Sequence, residues 1–325
     1  MTKVIEVEHL SKVYGSHTAI EDIDFSVNAG EIIGFLGPNG AGKTTTMRIL
    51  AGYLPATAGT AKIAGYDVHQ QSMEVRRRIG YLPENPPLYP DMTVEGFLHF
   101  VAKIKGVRAG DRSQKVYSAI TRCQLVDKTK TTIRKLSKGY RQRVGIAQAI
   151  VHEPPVIILD EPTVGLDPRQ IIEVRNLIKS LAGEHTIILS THILPEVSMT
   201  CDRVTIVNRG KVVTTNTPQD LMQQLESKAG YELEIAGDGE QAKVLLQKIP
   251  GVTGVTLSSS PTSPRLLLEI SCNGDIEPGK EIAATIVNQG WDLYEMRRTR
   301  PSLEDVFLHL TTEELSLSTS NADEN

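Results

Sequence analysis

The chain has 325 residues, and at about 150 residues per domain this length predicts two domains. Its 35 Lys and Arg residues against 39 Asp and Glu residues give a net charge of −4, so we expect no nucleic-acid partner from the overall charge. A hydrophobic content of 40% and a charged content of 23% are typical of a folded globular protein and exclude wholesale disorder.

Cysteine usage and hydropathy predict where the chain works. The three cysteines, Cys123, Cys201 and Cys272, are far apart and form no CxxC pair, which is typical of a reducing compartment. No run approaches the 18 apolar residues that a membrane span needs, and residues 1–10 lack the basic and apolar regions of a signal peptide. We therefore expect a cytoplasmic chain.

Over residues 4–221 the sequence alternates between strand and helix patterns. Four apolar runs predict strands buried on both faces, as in a parallel sheet, at 32–36, 156–159, 186–189 and 204–207. Helices are predicted between the strands, including 44–51 and 138–151. The pattern is mainly helical at about 86–150. We therefore predict an α/β domain over 1–226, with a helical subdomain inserted in its mostly parallel sheet core.

A second pattern begins near residue 231. Strand and helix periodicities follow each other in the order β-α-β-β-α-β, at 231–235, 242–249, 252–257, 265–271, 281–287 and 291–297. This order predicts a small ferredoxin-like α+β domain over 227–312, closed by a helix at 303–310 that Ser302 caps. The polar, acidic residues 313–325 are expected to be a disordered tail.

The strand at 32–36 leads into the sequence GPNGAGKT, which fits the pattern G-x-x-x-x-G-K-[ST]. Glycines let consecutive backbone N–H groups turn inward around phosphate oxygens, and the helix that follows directs its positive end at the same anion. Lys43 can reach the β- and γ-phosphates, and the Thr44 hydroxyl can ligate Mg²⁺. The predicted phosphate site consists of Gly37, Pro38, Asn39, Gly40, Ala41, Gly42, Lys43, Thr44 and Thr45.

Two carboxylates follow the predicted strand at 156–159, at the strand end where α/β sheets bind ligands. Asp160 comes first and is predicted to hold Mg²⁺. Glu161 is predicted to act as the general base that activates water, a role that contributes about 10²–10⁴-fold to a rate. Together with the phosphate loop, these residues predict hydrolysis of a nucleoside triphosphate.

Five motifs occur in the order typical of the ATP-binding subunits of ABC transporters, and over residues 4–221 the chain resembles that family. The motifs are the loop 37–44, the sequence LSKGY at 136–140, the strand and carboxylates 156–161, the sequence GLD at 165–167, and His192. The resemblance implies a P-loop NTPase fold, an ABC ATPase domain, that binds and hydrolyses ATP with Mg²⁺.

The resemblance also assigns roles to residues outside the phosphate loop. Tyr14 matches the aromatic residue that stacks on adenine, and His192 matches the switch histidine that contacts the γ-phosphate. Ser137 and Gly139 belong to the signature motif, which in the family contacts ATP bound by the other subunit. Asp167 matches the loop that crosses to that subunit. A dimer with two sandwiched nucleotides is therefore implied.

Two features depart from the usual family pattern. Lys138 and Tyr140 stand where the family's LSGGQ has Gly and Gln. Glu84 stands where most relatives carry Gln; its carboxylate can ligate Mg²⁺, but it adds a charge beside the γ-phosphate. Glu84, the sequence LSKGYRQR and the sequence PSLEDVF at 301–307 resemble subunits of the ABC-2 export group, which includes gliding-motility, multidrug and polysaccharide-type exporters.

Since no membrane span is found, the resemblance implies separate integral membrane permease subunits, contacted by residues 84–92 and the helical insertion. It also implies a second ATP-binding subunit, identical or different, on the cytoplasmic face of the cell membrane. Two alternatives stay open: a soluble ABC ATPase that acts on ribosomes or nucleic acid, and a regulatory ATP-binding module. The single cassette and the net charge disfavour the former, and the presence of Glu161 and His192 disfavours the latter.

Overall fold

A computed structural model of the chain describes residues 2–223, 230–259, 265–273 and 277–299. The chain divides into two compact units, with the division after Pro218. The boundary predicted at 226/227, the helix predicted at 303–310 with its cap Ser302, and the tail predicted at 313–325 lie outside the described residues.

The described part of the first unit has a larger sheet with strand order β10-β9-β3-β8-β7-β6, which is parallel except for the pair β9-β10. Every residue of β3, β7 and β8 is buried, as the apolar runs predicted. The strands of the unit are β1 (Lys3–Tyr14), β2 (His17–Asn28), β3 (Ile32–Leu36), β4 (Ala58–Ile63), β5 (Tyr66–Asp67), β6 (Ile79–Leu82), β7 (Val156–Asp160), β8 (Thr186–Thr191), β9 (Arg203–Asn208) and β10 (Lys211–Asn216).

A second, antiparallel sheet with the order β2-β1-β4-β5 was not predicted. The β1-β2 register shifts between Val7 and Leu10 and again further along, and these irregularities interrupt the alternation that marks a strand. The sheet packs on the larger one in a shared apolar core, where the rings of Phe25 and Phe35 lie 5.3 Å apart. It brings Tyr14, at the end of β1, toward the phosphate loop.

The helices α3, α4 and α5 lie within the helical insertion predicted at 86–150. Helix α3 begins after Thr93, whose hydroxyl accepts a hydrogen bond from the Gly96 N–H at 3.1 Å. The helices of the first unit and its C-terminal edge are α1 (Lys43–Leu50), α2 (Ser72–Arg78), α3 (Val94–Ile104), α4 (Arg112–Arg122), α5 (Lys138–Ile150), α6 (Pro168–Leu181), α7 (Leu194–Thr200) and α8 (Pro218–Gln223).

The second unit has the predicted β-α-β-β-α-β order and an antiparallel sheet with strand order β12-β13-β11-β14. Its core joins the sheet to both helices through residues such as Leu233, Leu246 and Ile286. This is the ferredoxin-like arrangement. Its elements are β11 (Gly230–Ala236), α9 (Gly239–Leu246), β12 (Val252–Ser259), β13 (Leu266–Cys272), α10 (Gly279–Asn288) and β14 (Asp292–Thr299).

None of the helices within the described ranges combines the length and the apolar character that crossing a bilayer requires.

Candidate active site

The phosphate loop connects the buried strand β3 to α1, and two of its glycines are required by close contacts. A Cβ on Gly37 would lie 2.3 Å from the backbone oxygen of Val207, and one on Gly42 would lie 2.7 Å from that of Ala19. Gly40 instead has a φ of +83° with open space beside it. The loop therefore has no room for a side chain at Gly37 and Gly42 and has a backbone conformation at Gly40 that favours glycine, which suits phosphate binding through backbone N–H groups.

Lys43 is buried under this loop. Its ammonium donates to the backbone oxygens of Gly37 and Pro38, at 2.8 and 3.1 Å. It also lies 3.4 Å from Glu161 Oε1. The cation thus sits at the N-terminus of α1, where both its charge and the helix end favour an anion.

A pocket of about 400 Å³ opens over the loop. It brings together residues from distant parts of the sequence, including most of the predicted site. The predicted residues that line it are Tyr14, Asn39, Gly40, Gly42, Lys43, Thr44, Thr45, Glu84, Glu161 and His192.

Asp160 ends β7 beneath the pocket and is fully buried. Its Oδ1 accepts hydrogen bonds from Ser190 Oγ at 2.8 Å and from Thr44 Oγ1 at 3.3 Å. Its Oδ2 is buried and has no hydrogen-bond partner among the described residues. Burial raises the pKa of Asp160, and the nearby carboxylates of Glu161 and Glu84 raise it further. An unpaired carboxylate oxygen beside a hydroxyl suits a hard cation such as Mg²⁺.

Glu161 and His192 line the pocket together. His192 Nδ1 lies 2.9 Å from Glu161 Oε2, so the imidazole holds one oxygen of the carboxylate. Glu161 has a φ of +51°, a left-handed conformation that costs a residue with a side chain about 1–3 kcal/mol. Its N–H donates to the Ser190 carbonyl at 3.0 Å, which fixes this turn at the strand end. The strained turn directs the carboxylate into the pocket.

Tyr14 lies at the pocket rim with 46% of its surface exposed. The Lys12 ammonium lies 5.1 Å from the centre of its ring, on one face. An exposed ring at the mouth of a phosphate pocket can accept a base by stacking.

Seven predicted residues do not line the pocket: Gly37, Pro38 and Ala41 of the loop, Asp160 beneath it, and Ser137, Gly139 and Asp167. Ser137 caps α5 by accepting a hydrogen bond from the Tyr140 N–H at 3.4 Å, and Asp167 caps α6 by accepting one from the Gln170 N–H at 2.9 Å. Gly139 lies against Gln170, whose Oε1 would be 2.5 Å from a Cβ at that position. Ser137, Gly139 and Asp167 form two neighbouring helix N-termini outside the pocket of their own chain.

Comparison with known proteins decides the family. The model of the ABC transporter family matches residues 20–164. The linearmycin resistance ATP-binding protein LnrL of Bacillus subtilis is 30% identical over 309 residues, which span 95% of this chain and 98% of that protein. This chain belongs to the ABC transporter family.

Two further comparisons agree with this family. The bacitracin transport ATP-binding protein BcrA of Bacillus licheniformis is 35% identical to this ABC protein over 312 residues, 95% of this chain and 98% of that one. A solved structure of the ATP-binding subunit of an ABC transporter superposes with a TM-score of 0.62 at 32% identity, over 68% of this chain and 93% of that chain. The chain is therefore an ATP-binding and ATP-hydrolysing subunit of an ABC transporter.

Sequence reasoning missed four residues of this ABC ATPase site. His17, Ala19 and Val164 line the pocket, and Ser190 donates to Asp160. Ser190 stands near the end of β8, directly opposite Asp160 in the β7-β8 register, and no local sequence pattern reveals that register. The other three carry no chemistry that a sequence pattern would single out.

Proposed function

We propose that this ABC ATPase subunit powers export through separate membrane permease subunits, from the cytoplasmic face of the cell membrane. The observation that carries the proposal is the convergence of Lys43, Glu161 and His192 in one pocket over the phosphate loop. The names of the relatives, which refer to linearmycin resistance and bacitracin transport, support the export direction.

Glu161 acts as the general base in this proposal. Its Oε2 is held by His192, while its Oε1 faces the Lys43 ammonium. A triphosphate that binds at the loop competes for that ammonium and leaves Oε1 to accept a proton from the attacking water. His192, with 41% of its side chain exposed, lies where it can contact the γ-phosphate.

The residues around Asp160 fit Mg²⁺. The unpaired, buried Oδ2 of Asp160 and the hydroxyl of Thr44 are oxygen ligands of the kind this cation prefers, and Glu84 adds a third at the pocket wall. When bound, Mg²⁺ neutralises charge on the phosphates. Ser190 keeps the Asp160 carboxylate in place through its hydrogen bond to Oδ1.

Ser137, Gly139 and Asp167 serve a nucleotide bound by a second ATP-binding subunit. They lie outside the pocket of their own chain. When two subunits close head to tail, these residues contact the nucleotide that the other subunit binds. Charge-assisted hydrogen bonds to the γ-phosphate, about 1.5–3 kcal/mol each, stabilise the closed dimer. Loss of that phosphate removes these bonds and reopens the dimer, as in other two-state switches.

An aromatic patch and a groove on the helical insertion are suited to the permease. The exposed ring of Tyr89 packs against two phenylalanine rings, and its centre lies 6.0 Å from that of Phe97 and 5.3 Å from that of Phe100. Ile104 extends the apolar surface along α3. A groove of about 450 Å³ lies beside the patch, between the loop 84–90 and α5. We assign this surface to a cytoplasmic segment of the permease.

Purification of the tagged chain from detergent-solubilised membranes tests the proposal. We expect a multispanning protein to copurify, and the combined change Tyr89→Ala and Phe100→Ala to reduce its recovery. Tyr117→Ala is the matched control, since Tyr117 is another exposed tyrosine, on α4 of the same insertion. Recovery of the chain with ribosomes and without a membrane protein would contradict the proposal.

A further inference from the structure

Lys138, the residue that replaces a glycine of the usual signature motif, packs on the loop between β7 and α6. A Cβ on Gly165 would lie 2.1 Å from the Lys138 ammonium and 3.3 Å from its Cε. The end of the lysine side chain, with its ammonium nearest, therefore covers the open side of Gly165, which has a φ of +70°. Gly165 stands two residues before Asp167, so this contact connects the two segments that carry Ser137 and Asp167.

Two more contacts join the same segments further along. Gly139 lies against the side chain of Gln170, whose N–H donates to Asp167 Oδ1. One turn on, Arg143 of α5 forms an ion pair with Glu173 of α6. Both partners of that pair are partly or largely buried. The N-terminal halves of α5 and α6 are thus connected at three successive levels.

We propose that Lys138 is a positioning residue whose side-chain end fastens the loop 163–167 to the N-terminus of α5, so that Ser137 and Asp167 move as one unit. The inference rests on the proposed function, in which both residues serve the nucleotide of a second subunit. This fastening requires a long side chain at position 138, because a glycine there leaves Gly165 uncovered.

The contact with Gly165, and not an ion pair, performs this role. A cation in the first turn of a helix is unfavourable, because it faces the positive end of the helix dipole. Among the described residues, no carboxylate lies within ion-pair distance of Lys138 to offset that cost, and the first turn of α5 contains no acidic residue. Packing over Gly165 is the favourable contact that the side chain makes.

Hydrogen exchange of the isolated chain tests the fastening without any second subunit. Lys138→Gly should speed amide exchange in 163–167 by about tenfold. A change of this size corresponds to the interaction free energy that is typical of two residues in contact. Lys138→Met keeps a carbon at the position of the lysine Cε, which lies 3.3 Å from a Cβ on Gly165, and should therefore accelerate exchange much less than Lys138→Gly does. Lys135→Met, a change of an exposed lysine just before α5, is the matched control. Unchanged exchange in Lys138→Gly, or equal acceleration in Lys138→Met, would overturn the proposal.

Sedimentation velocity in a Glu161→Gln background tests the consequence for closure. We expect Lys138→Gly to weaken the ATP-dependent dimer about tenfold, with unchanged affinity for ADP, and Lys138→Met to restore the dimer. Parallel loss of ADP affinity would show local misfolding and overturn the positioning role. A Glu161→Gln chain that stays monomeric with ATP would contradict the proposed function, while the exchange experiment still decides the role of Lys138.

Discussion

The ammonium of Lys43 lies 3.4 Å from Glu161 Oε1, so the phosphate-binding cation and the general base form one buried ion pair. Lys43→Met leaves the charge of Glu161 without this cation. We expect the free energy of unfolding to fall by about 3–5 kcal/mol, as for other buried ion pairs that lose one partner. We also expect ATP binding to be lost, because the ammonium is the side-chain cation under the loop. Chemical denaturation and ATP titration measure the two effects.

The second substitution Glu161→Gln serves as the control for this pair. It removes the unpaired charge, so the double variant should regain most of the lost stability while ATP binding stays absent. Wild-type ATP affinity in Lys43→Met would refute the assignment of the loop. A double variant no more stable than the single one would refute the ion pair as the cause of the destabilisation.

Gly40 and Gly65 provide a matched test of the phosphate loop. Both have a positive φ, +83° and +80°, and neither has a heavy atom within 4 Å of the position of a Cβ. Alanine at either position costs about 1–2 kcal/mol of backbone strain, so the two variants should lose similar stability. Only Gly40→Ala should lose ATP affinity, by about tenfold or more, because Gly40 lines the pocket. Equal ATP affinity of the two variants would exclude Gly40 from the binding site.

Tyr14 should contribute to nucleotide affinity by stacking on the base. Stacking on an aromatic side chain is worth about 1–3 kcal/mol, so Tyr14→Ala should weaken ATP binding by about 5- to 150-fold. Tyr14→Phe keeps the ring and should bind as the wild type does. A titration with a fluorescent ATP analogue distinguishes these outcomes, and an undiminished affinity in Tyr14→Ala would place the base elsewhere.

The parts of the site that are encoded locally could be predicted from sequence. The loop 37–44 needs only the end of β3 and the start of α1 to take its shape, and Asp160 and Glu161 follow an unmistakable buried strand. A run of buried apolar residues and the turn that ends it are visible in any window of sequence.

Contacts between distant segments could not be predicted. The bond from Ser190 to Asp160 depends on strand register, and the ion pair of Lys43 with Glu161 depends on the left-handed backbone at Glu161. The antiparallel sheet that carries Tyr14 was missed because the irregular register of β1 interrupts its alternation. Each of these features is set by tertiary packing rather than by local preference.

His152 should make the chain sensitive to acid. Its Nε2 donates to the Ile79 carbonyl at 3.0 Å, and burial lowers its pKa to about 3 from the ordinary 6.5. The unfolded chain therefore binds a proton that the folded chain excludes. The stabilisation is complete above pH 6.5 and is lost as the pH falls toward 3, by about 1.4 kcal/mol per pH unit.

Denaturation curves of the wild type and His152→Gln between pH 7 and 4 check this prediction. Glutamine keeps a donor for the Ile79 carbonyl but does not titrate, so the variant should show a shallower loss of stability in acid. Parallel pH profiles of the two proteins would show that His152 is not the group responsible.

Phosphate release by the Glu161→Gln chain, measured with Mg²⁺ and ATP beside the wild type, tests the catalytic assignment most directly. Glutamine preserves the size of the side chain and removes its basicity. We expect turnover to be slower by about 10²–10⁴-fold with ATP still bound. Phosphate release at the wild-type rate would contradict the assignment.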